Sequence, residues 1–475
     1  MPLTYSTVLM LAPVAGADCA VIFPDHHRSG AALPVRLTPK RARGWYRRAL
    51  AAAALAVLPV FLFTSGFPAS ASSHRDTVGV VTVYGKVMDS SDGHPLAFAS
   101  VTHAGSGVSN VSNSEGIFSL KLPSDSSSED EIRVSFLGYV TATLRVRDFS
   151  ESTSDKPRRV PLPPVSFSLD PAVIRSTEPL ELLREAYAKV KDNYPSVMTG
   201  MTAFYREIIR RQSGRYLALS EAVIDINKAS YTSFQGDRAR IFKGRASSDY
   251  GAADSILIRF RGGVVAALDM DNVKNPFAGV WLNEVNLHYR FAMAEPVVRD
   301  GLFFYVITFT QAEGSEDILY SGRLYVESES LAIGRVELSL NVKGREEKAA
   351  AIMVIKRPPD TRFYVTKAEY AVNYKRFGDV WHYDYSVARL NLSARRGKSL
   401  FRNHYSITSE MAVTAHNEVP ARIGADERIR FKDILSEKVG DFRDDDFWGD
   451  YNVIEPDKSI EIVIRRIIRR LERRR

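Results

Sequence analysis

A histidine and an aspartate in a strand-like run form the first group in this sequence that could support chemistry. His382 and Asp384 alternate with apolar residues in the run 380–392, and His404 follows further along the chain. An imidazole and a carboxylate on one face of a strand could act as an acid–base pair or as metal ligands. Polar residues also line the solvent-facing side of ordinary sheets, and we expect that arrangement here.

An acidic segment, 441–450, is the best metal-binding candidate. Four residues take the first, third, sixth and twelfth positions of a calcium-binding loop: Asp444, Asp446, Gly449 and Glu455. Trp448 stands where the fifth position needs an oxygen ligand, and Pro456 opposes the helix that should follow. We therefore expect a surface loop, with calcium as the alternative and no other cofactor.

The last residues, 459–475, predict a basic amphipathic helix. Its apolar stripe and the arginines around it are the candidate membrane or partner contacts: Ile464, Ile467, Ile468, Leu471, Arg465, Arg466, Arg469 and Arg470. Such a helix can lie on an anionic membrane surface. Alternatively, the stripe packs on its own domain and leaves the arginines in water. Both interpretations remain open at this stage.

The signatures of several enzyme classes are missing from the sequence. None of the 9 histidines is followed by Glu three residues later, so the zinc motif of a metallocarboxypeptidase is absent. Gly397-Lys398-Ser399 has Leu392 where a phosphate-binding loop needs glycine. No Gly-x-Ser-x-Gly elbow occurs. We predict no catalytic residues, and a hydrolase with a dispersed site is an alternative.

Residues 80–148 predict the first structural module, a small β-sandwich. Short alternating runs such as 81–87 and 117–122 are separated by the turn segments 89–93 and 113–116, rich in Asp, Asn, Ser and Gly. Several short strands at this spacing are typical of a sandwich. The segment 151–175 is rich in Ser, Asp and Pro and predicts a linker.

Four motifs in this module resemble the carboxypeptidase-regulatory-like domain. They are Gly85-Lys-Val with Asp89, Gly93-x-Pro-Leu-x-x-Ala-Ser-Val, Ser114-x-Gly-x-Phe and Phe136-Leu-Gly-Tyr. The resemblance covers about 70 residues and implies a transthyretin-like β-sandwich. It also implies an accessory module of bacterial envelope proteins, not the peptidase itself.

The rest of the chain is predicted to be mainly β. The runs 363–374, 380–392 and 404–413 are long and alternating, which favours a large antiparallel sheet with one solvated face. In the second run, Trp381, Tyr383, Tyr385 and Val387 are expected to share one face. The hairpin near 320–326 is similar to strands of periplasmic lipoprotein-carrier folds, which form a curved half-barrel.

A wider pattern resembles envelope proteins with a regulatory-like domain and an uncharacterised β-rich C-terminal region. It comprises Phe204-Tyr-Arg-Glu207, Tyr325-Val-Glu327 and the aromatic segment 447–456. Arg206 and Glu207 are adjacent, so they should point to opposite faces of a strand. We expect both to make solvent contacts and pairing interactions.

The N-terminal residues predict export. Basic residues from Lys40, the apolar run 49–63 and the small residues 69–71 follow the order of a secretory signal peptide. Residues 1–39 are then an upstream extension. Cys19 is the only cysteine and lacks the lipoprotein context, so no disulfide is expected in the mature chain.

Charge and length complete the functional prediction. Of the net charge of +8, the segments 1–71 and 459–475 each carry +5, so the body is nearly neutral and no nucleic-acid partner is expected. The 475 residues divide into a signal region 1–71, a sandwich 76–150, the linker, a β-rich domain 176–458 and the tail helix 459–475.

We predict a non-catalytic, exported envelope protein of a Gram-negative bacterium, periplasmic or associated with the outer membrane. It would have a binding or scaffold role toward an envelope protein, a glycan or a lipid-like ligand. A periplasmic carrier of an apolar ligand is the other alternative, and a concave apolar groove would favour it.

Overall fold

The computed structural model describes most of the chain after residue 80. The described residues are 81–165, 178–248, 259–260, 263–280, 282–315, 317–356, 360–417, 419–440, 442 and 447–473. The predicted signal peptide and Cys19 lie outside them. Among these residues, no helix is both long enough and apolar enough to span a membrane.

The first module is a sandwich of two small sheets. Its strands are β1 (Val81–Asp89), β2 (Ser100–His103), β3 (Ser109–Val111), β4 (Ile117–Leu122), β5 (Glu131–Ser135), β6 (Ala142–Arg145) and β7 (Arg158–Leu162). One sheet has the order β4-β1-β7 and the other β3-β2-β5-β6. Alternate residues such as Val87, Phe118 and Val134 fill the space between the sheets and are fully buried. A Cβ at Gly85 would lie 2.2 Å from the Phe118 ring, so only glycine fits there.

The predicted linker contains a strand of this sandwich. β7 pairs in parallel with β1, from Gly85 opposite Arg158 to Asp89 opposite Leu162, and it buries Val160 and Leu162. Pro161 is tolerated because β7 lies at the edge of its sheet. The linker prediction is therefore wrong for 158–162, and the sandwich extends beyond residue 150.

The second module is built on a sheet of ten antiparallel strands. They are β8 (Thr199–Arg211), β9 (Tyr216–Lys228), β10 (Arg238–Ser248), β12 (Tyr289–Arg299), β13 (Leu302–Gln311), β14 (Tyr320–Glu327), β15 (Ile333–Leu340), β17 (Thr361–Phe377), β18 (Val380–Arg396) and β19 (Asn403–Asn417). Two short strands, β11 (Arg259–Phe260) and β16 (Val354–Lys356), lie outside this sheet. The order is β10-β9-β8-β19-β18-β17-β15-β14-β13-β12, and β11 pairs only with β16. The sheet is open, and the predicted mainly β fold with a large antiparallel sheet is confirmed.

Seven α-helices accompany the strands among the described residues, besides two short 3-10 helices at Val146–Phe149 and Pro276–Ala278. The α-helices are α1 (Pro179–Ala188), α2 (Val190–Asn193), α3 (Gly263–Asp269), α4 (Val285–His288), α5 (Glu346–Met353), α6 (Leu435–Lys438) and α7 (Lys458–Glu472). Residues of α1, α2, α3, α4 and α5 join the main hydrophobic core on one face of the sheet, the inner face. α7 packs on strands β8 and β9 through a separate cluster on the opposite, outer face.

The outer face is also covered, which corrects the prediction of a solvated face. Phe204 and Tyr385 of the sheet pack there against Trp448 and Ile454 of the C-terminal segment. Val111 of the sandwich joins the same cluster. A single sequence reveals the alternation of a strand, but it does not reveal which distant segment returns to cover each face.

A β-bulge in β18 separates the four residues expected to share one face. Asn373 pairs with Tyr385 while Tyr374 pairs with Tyr383, so Asp384 is the extra residue. Trp381 and Tyr383 consequently lie in the main core, whereas Tyr385 and Val387 lie on the outer face.

The sandwich and the large sheet are joined by hydrogen bonds as well as by apolar contact. Ser109 donates from Oγ to the carbonyl of Val413 (2.9 Å), and Asn110 donates from Nδ2 to that of Val453 (2.8 Å). The side-chain amide of Asn452 accepts from the Lys121 N–H (2.8 Å) and donates to the Lys121 carbonyl (2.9 Å). These are buried or part-buried bonds, so the joint is a fixed interface.

Candidate functional site

The tail helix packs its apolar stripe on the protein itself. Ile460 and Ile467 are buried in a cluster with Ile208 and Leu219, and three other stripe residues, Ile464, Ile468 and Leu471, pack against that cluster. The predicted contact arginines Arg465, Arg466 and Arg469 are exposed, and Arg465 pairs with Glu461. The side chain of Arg470 lies outside the described part. Of the two interpretations, the structure supports the docked helix for the stripe.

The calcium candidate is only partly within the described residues. Asp444 and Asp446 lie outside them. Glu455 is half-buried, and its main-chain carbonyl accepts a hydrogen bond from Arg206 (3.4 Å). In the part of the chain that the structure describes, no three His, Cys, Asp or Glu side chains are grouped to hold a metal ion.

The histidine–aspartate pair lies on a covered face. His382 packs edge-on against His416, with ring centres 4.9 Å apart, and Phe377 stacks on His416. Asp384 is only 6% exposed and lines a cavity toward the sandwich. His404 sits at the far end of its strand, opposite Ser393. The expected solvent setting is therefore wrong for Asp384, which is buried, whereas His382 is half-buried and His404 is exposed. No hydrogen bond joins these three residues in the described part.

Arg206 and Glu207 do point to opposite faces, but neither serves as a solvent contact. Arg206 is buried and donates to Glu221 (Nε to Oε1, 2.8 Å). Arg245 approaches the second oxygen of the same carboxylate (Nε to Oε2, 2.9 Å). Glu207 instead lines a cavity on the inner face.

That cavity is the main candidate ligand site among the described residues. It lies between the inner face of the sheet and helices α3 and α5, and its volume is about 110 Å³. Its wall is mostly apolar and includes Ala266, Met270, Ile352, Met353, Val372, Leu390 and Ile407. A concave, mainly apolar wall with a few polar groups is the usual form of a small-molecule site.

Two carboxyl groups, Glu207 and Asp269, are the acidic groups of this wall. Burial raises the pKa of Glu207 above its usual range. Burial, assisted by the charge of Asp237, raises the pKa of Asp269 to about 6. The Tyr205 hydroxyl donates to Glu207 (3.2 Å). The two groups can accept hydrogen bonds from a donor, or pair with a cation, at the polar end of a bound molecule.

A buried polar network fixes the segment that follows α3. Lys228 contacts both Asp237 (2.5 Å) and Asp271 (2.7 Å), and Tyr374 donates to Asp271 (2.6 Å). Burial opposes the charge of Lys228, but the two carboxylates outweigh burial and raise its pKa. Tyr187 donates to Asn272 (2.7 Å). Because these groups are paired, the cover of the cavity is anchored to β9 and β17.

A second cavity of about 270 Å³, lined by charged as well as apolar side chains, lies between the sandwich and the outer face. Lys375 donates to Ser100 across it (3.2 Å), and Phe98 stacks on Tyr385 with ring centres 5.4 Å apart. Burial raises the pKa of Asp384, against the opposing positive charges of Lys375 and Arg299. This cavity holds groups of both charges and belongs to the interface between the modules.

Sequence reasoning missed most of the apolar cavity. Glu207 belongs to the motif Phe204-Tyr-Arg-Glu207, but the sequence does not reveal what surrounds its side chain. Asp269 and Met270 lie in a segment that forms a short helix and turns, where no periodicity is long enough to interpret. The signal that could have been used is an acidic residue at the end of an otherwise apolar stretch, 263–270.

Comparison with known proteins confirms the sandwich. Residues 83–162 match the model of the CarboxypepD_reg-like domain, and this range includes β7. No curated protein matches the chain. A crystal structure of a DUF1329 family protein from Desulfovibrio piger is similar over 52% of this chain and 96% of that chain, with 12% identity and a TM-score of 0.22.

Proposed function

We propose that this protein is a non-catalytic binding protein that holds the apolar part of a small molecule in the cavity beneath α3 and α5. The apolar wall of that cavity is the observation that carries the proposal. Its volume of about 110 Å³ is comparable to an engineered cavity of ~150 Å³ that binds benzene. The site therefore suits a short alkyl or aryl segment, not a whole lipid.

The two carboxyl groups in the cavity wall favour a ligand that also has a polar end. Glu207 and Asp269 are both held in a partly desolvated wall, where a charged carboxylate is costly without a partner. A hydroxyl or amine on the ligand would supply that partner. We therefore propose an amphipathic ligand with a hydrogen-bond donor or a positive charge near its apolar segment.

The cellular location remains part of the proposal. The order of basic, apolar and small residues over 40–71 supports export, and the regulatory-like domain supports an envelope setting. N-terminal sequencing of the protein isolated from its native host tests this point. The mature chain should begin near Ser72, and a cytosolic chain that begins at Met1 would contradict export.

Ligand binding is tested by titration with three probes that share a short hexyl chain: hexylamine, hexanol and hexanoic acid. Isothermal titration should detect the amine and the alcohol, and the acid should bind more weakly because of Glu207 and Asp269. Ala266→Phe should fill the cavity and weaken binding about tenfold or more. Val265→Phe changes the neighbouring residue on α3, which is outside the cavity wall, and should bind as the wild type does.

Two results would contradict the proposal. One is that none of the three probes binds the folded wild-type protein. The other is that the Ala266→Phe and Val265→Phe proteins bind them equally well.

A further inference from the structure

The turn between β18 and β19 exposes two adjacent large apolar side chains. Leu400 is 94% exposed and Phe401 is 86% exposed. The turn itself is ordered by hydrogen bonds, because the Gly397 N–H donates to the Asp360 carbonyl (2.6 Å) and the Phe401 N–H donates to Ser399 Oγ (3.2 Å). Single exposed apolar residues are common on protein surfaces, but a leucine and a phenylalanine side by side on a turn that otherwise carries polar residues are not.

Positive charges surround these two side chains. Arg396, Lys398 and Arg402 lie in or beside the same turn and are exposed. Arg402 is held by its position over the Tyr364 ring (4.3 Å). Two acidic groups lie near these cations: Asp360 pairs with Arg396 (2.7 Å), and Glu346 at the start of α5 interacts with Arg402.

Two neighbouring strand ends add further cations. β17 begins beside the turn, since Thr361 pairs with Arg396, and this places the exposed Arg362 nearby. The turn between β8 and β9 is adjacent, because the Gln212 N–H donates to the His404 carbonyl (3.0 Å). That turn contributes Arg215, which is also exposed.

We propose that this basic tip, defined as Leu400 and Phe401 with Arg215, Arg362, Arg396, Lys398 and Arg402, docks on an anionic lipid membrane. Leu400 and Phe401 would enter the boundary between headgroups and acyl chains. The cations would lie at the level of the lipid phosphates, where each Lys or Arg is attracted by the negative surface potential. Stable peripheral binding needs two signals, and the tip combines an apolar one with an electrostatic one.

The inference goes beyond the proposed ligand-binding function and does not depend on it. It also differs from the earlier membrane interpretation of α7, whose apolar stripe is covered by β8 and β9. The competing occupant of the tip would be an acidic groove of a protein, which the test below separates from lipid.

The test is sedimentation of the full-length protein with phosphatidylcholine vesicles, made with or without phosphatidylglycerol. The wild type should bind the anionic vesicles and not the neutral ones, and added salt should weaken that binding. Leu400→Ser/Phe401→Ser should weaken it about tenfold or more, and so should Lys398→Ser/Arg402→Ser. Phe234→Ser removes another fully exposed aromatic, in the loop between β9 and β10, and should leave binding unchanged.

Insertion of the basic tip into the membrane is measured directly with the Phe401→Trp variant. Its tryptophan fluorescence should shift to shorter wavelength with anionic vesicles and not with neutral ones. All variants alter exposed side chains, so each should unfold at the wild-type denaturant concentration. The proposal would be overturned if the wild type fails to bind anionic vesicles, as it would if the tip served a protein partner. It would also be overturned if the Leu400→Ser/Phe401→Ser protein binds normally, or if only Arg466→Ser/Arg469→Ser on α7 removes binding.

Discussion

Asp269 is the residue whose charge should make the stability of the protein depend on pH near neutrality. Burial raises its pKa to about 6. An acid whose pKa is raised on folding stabilises the fold while it is protonated, and this stability is lost as pH rises from about 4 to above 6. Asp269→Asn cannot ionise and should avoid the loss.

The expected result for Asp269→Asn is therefore a gain in stability that grows with pH. Urea denaturation of both proteins at about pH 4.5 and about pH 7.5 should show a difference in the free energy of unfolding that increases by about 1–3 kcal/mol. A difference that stays constant between the two pH values would show that Asp269 is not desolvated as described.

Glu221 is predicted to be the most sensitive single position on the outer face. Its carboxylate is fully buried and neutralises both Arg206 and Arg245. Glu221→Ala would leave two guanidinium groups buried without that partner, which should lower the free energy of unfolding by about 3–5 kcal/mol. Chemical denaturation checks this, with the exposed Glu185→Ala as the control. A loss below about 1 kcal/mol would mean that the arginines find other partners.

The sequence predicted correctly which face of a strand a side chain points to, but it did not predict what covers that face. The alternation of a strand correctly placed Arg206 and Glu207 on opposite faces. It could not show that the C-terminal segment covers one face, nor that α3 and α5 leave a cavity on the other. The contacts of the C-terminal segment join residues more than 200 positions apart, as in the Arg206 hydrogen bond to Ile454.

At the scale of elements, the long strands were predictable and their irregularities were not. The alternating runs 363–374, 380–392 and 404–413 all lie in observed strands. The bulge at Asp384 was invisible because its residues, Tyr383, Asp384 and Tyr385, fit a regular strand equally well. The extra residue moved Tyr385 and Val387, two of the four residues, to the other face.

The tail helix is predicted to contribute to stability through its stripe. Ile467 is buried against the sheet, so Ile467→Ala should lower the free energy of unfolding by about 2–4 kcal/mol. Ile462 on the same helix is 58% exposed, and Ile462→Ala should change it by less than about 0.5 kcal/mol. Thermal and urea unfolding of the two variants provide the comparison. Equal effects would show that the helix does not dock as described.

At the scale of the whole molecule, the sandwich ends after β7 and not before it. A protein fragment of residues 76–165 contains β7, whereas a fragment 76–150 loses the buried Val160 and Leu162. The longer fragment should therefore show β-type circular dichroism and a cooperative transition at a higher urea concentration. Identical transitions for the two fragments would show that the parallel strand adds nothing to the module.

The order of the modules was predictable, but the way they join was not. The turn residues of the sandwich and the periodicity of the long strands each depend on local sequence. The parallel return of β7 and the hydrogen bonds from Asn110 and Asn452 depend on residues distant in the chain. Local patterns carry no information about such pairs.

The side-chain amides at that joint have a consequence for solubility. β4 is an edge strand, and an edge strand with free main-chain groups can pair with another chain and start aggregation. Asn110 donates to the carbonyl of Ser119, and Asn452 bonds both main-chain groups of Lys121, as a neighbouring strand would do. The C-terminal segment thus protects this edge, and a chain truncated before residue 447 would expose it to edge-to-edge association.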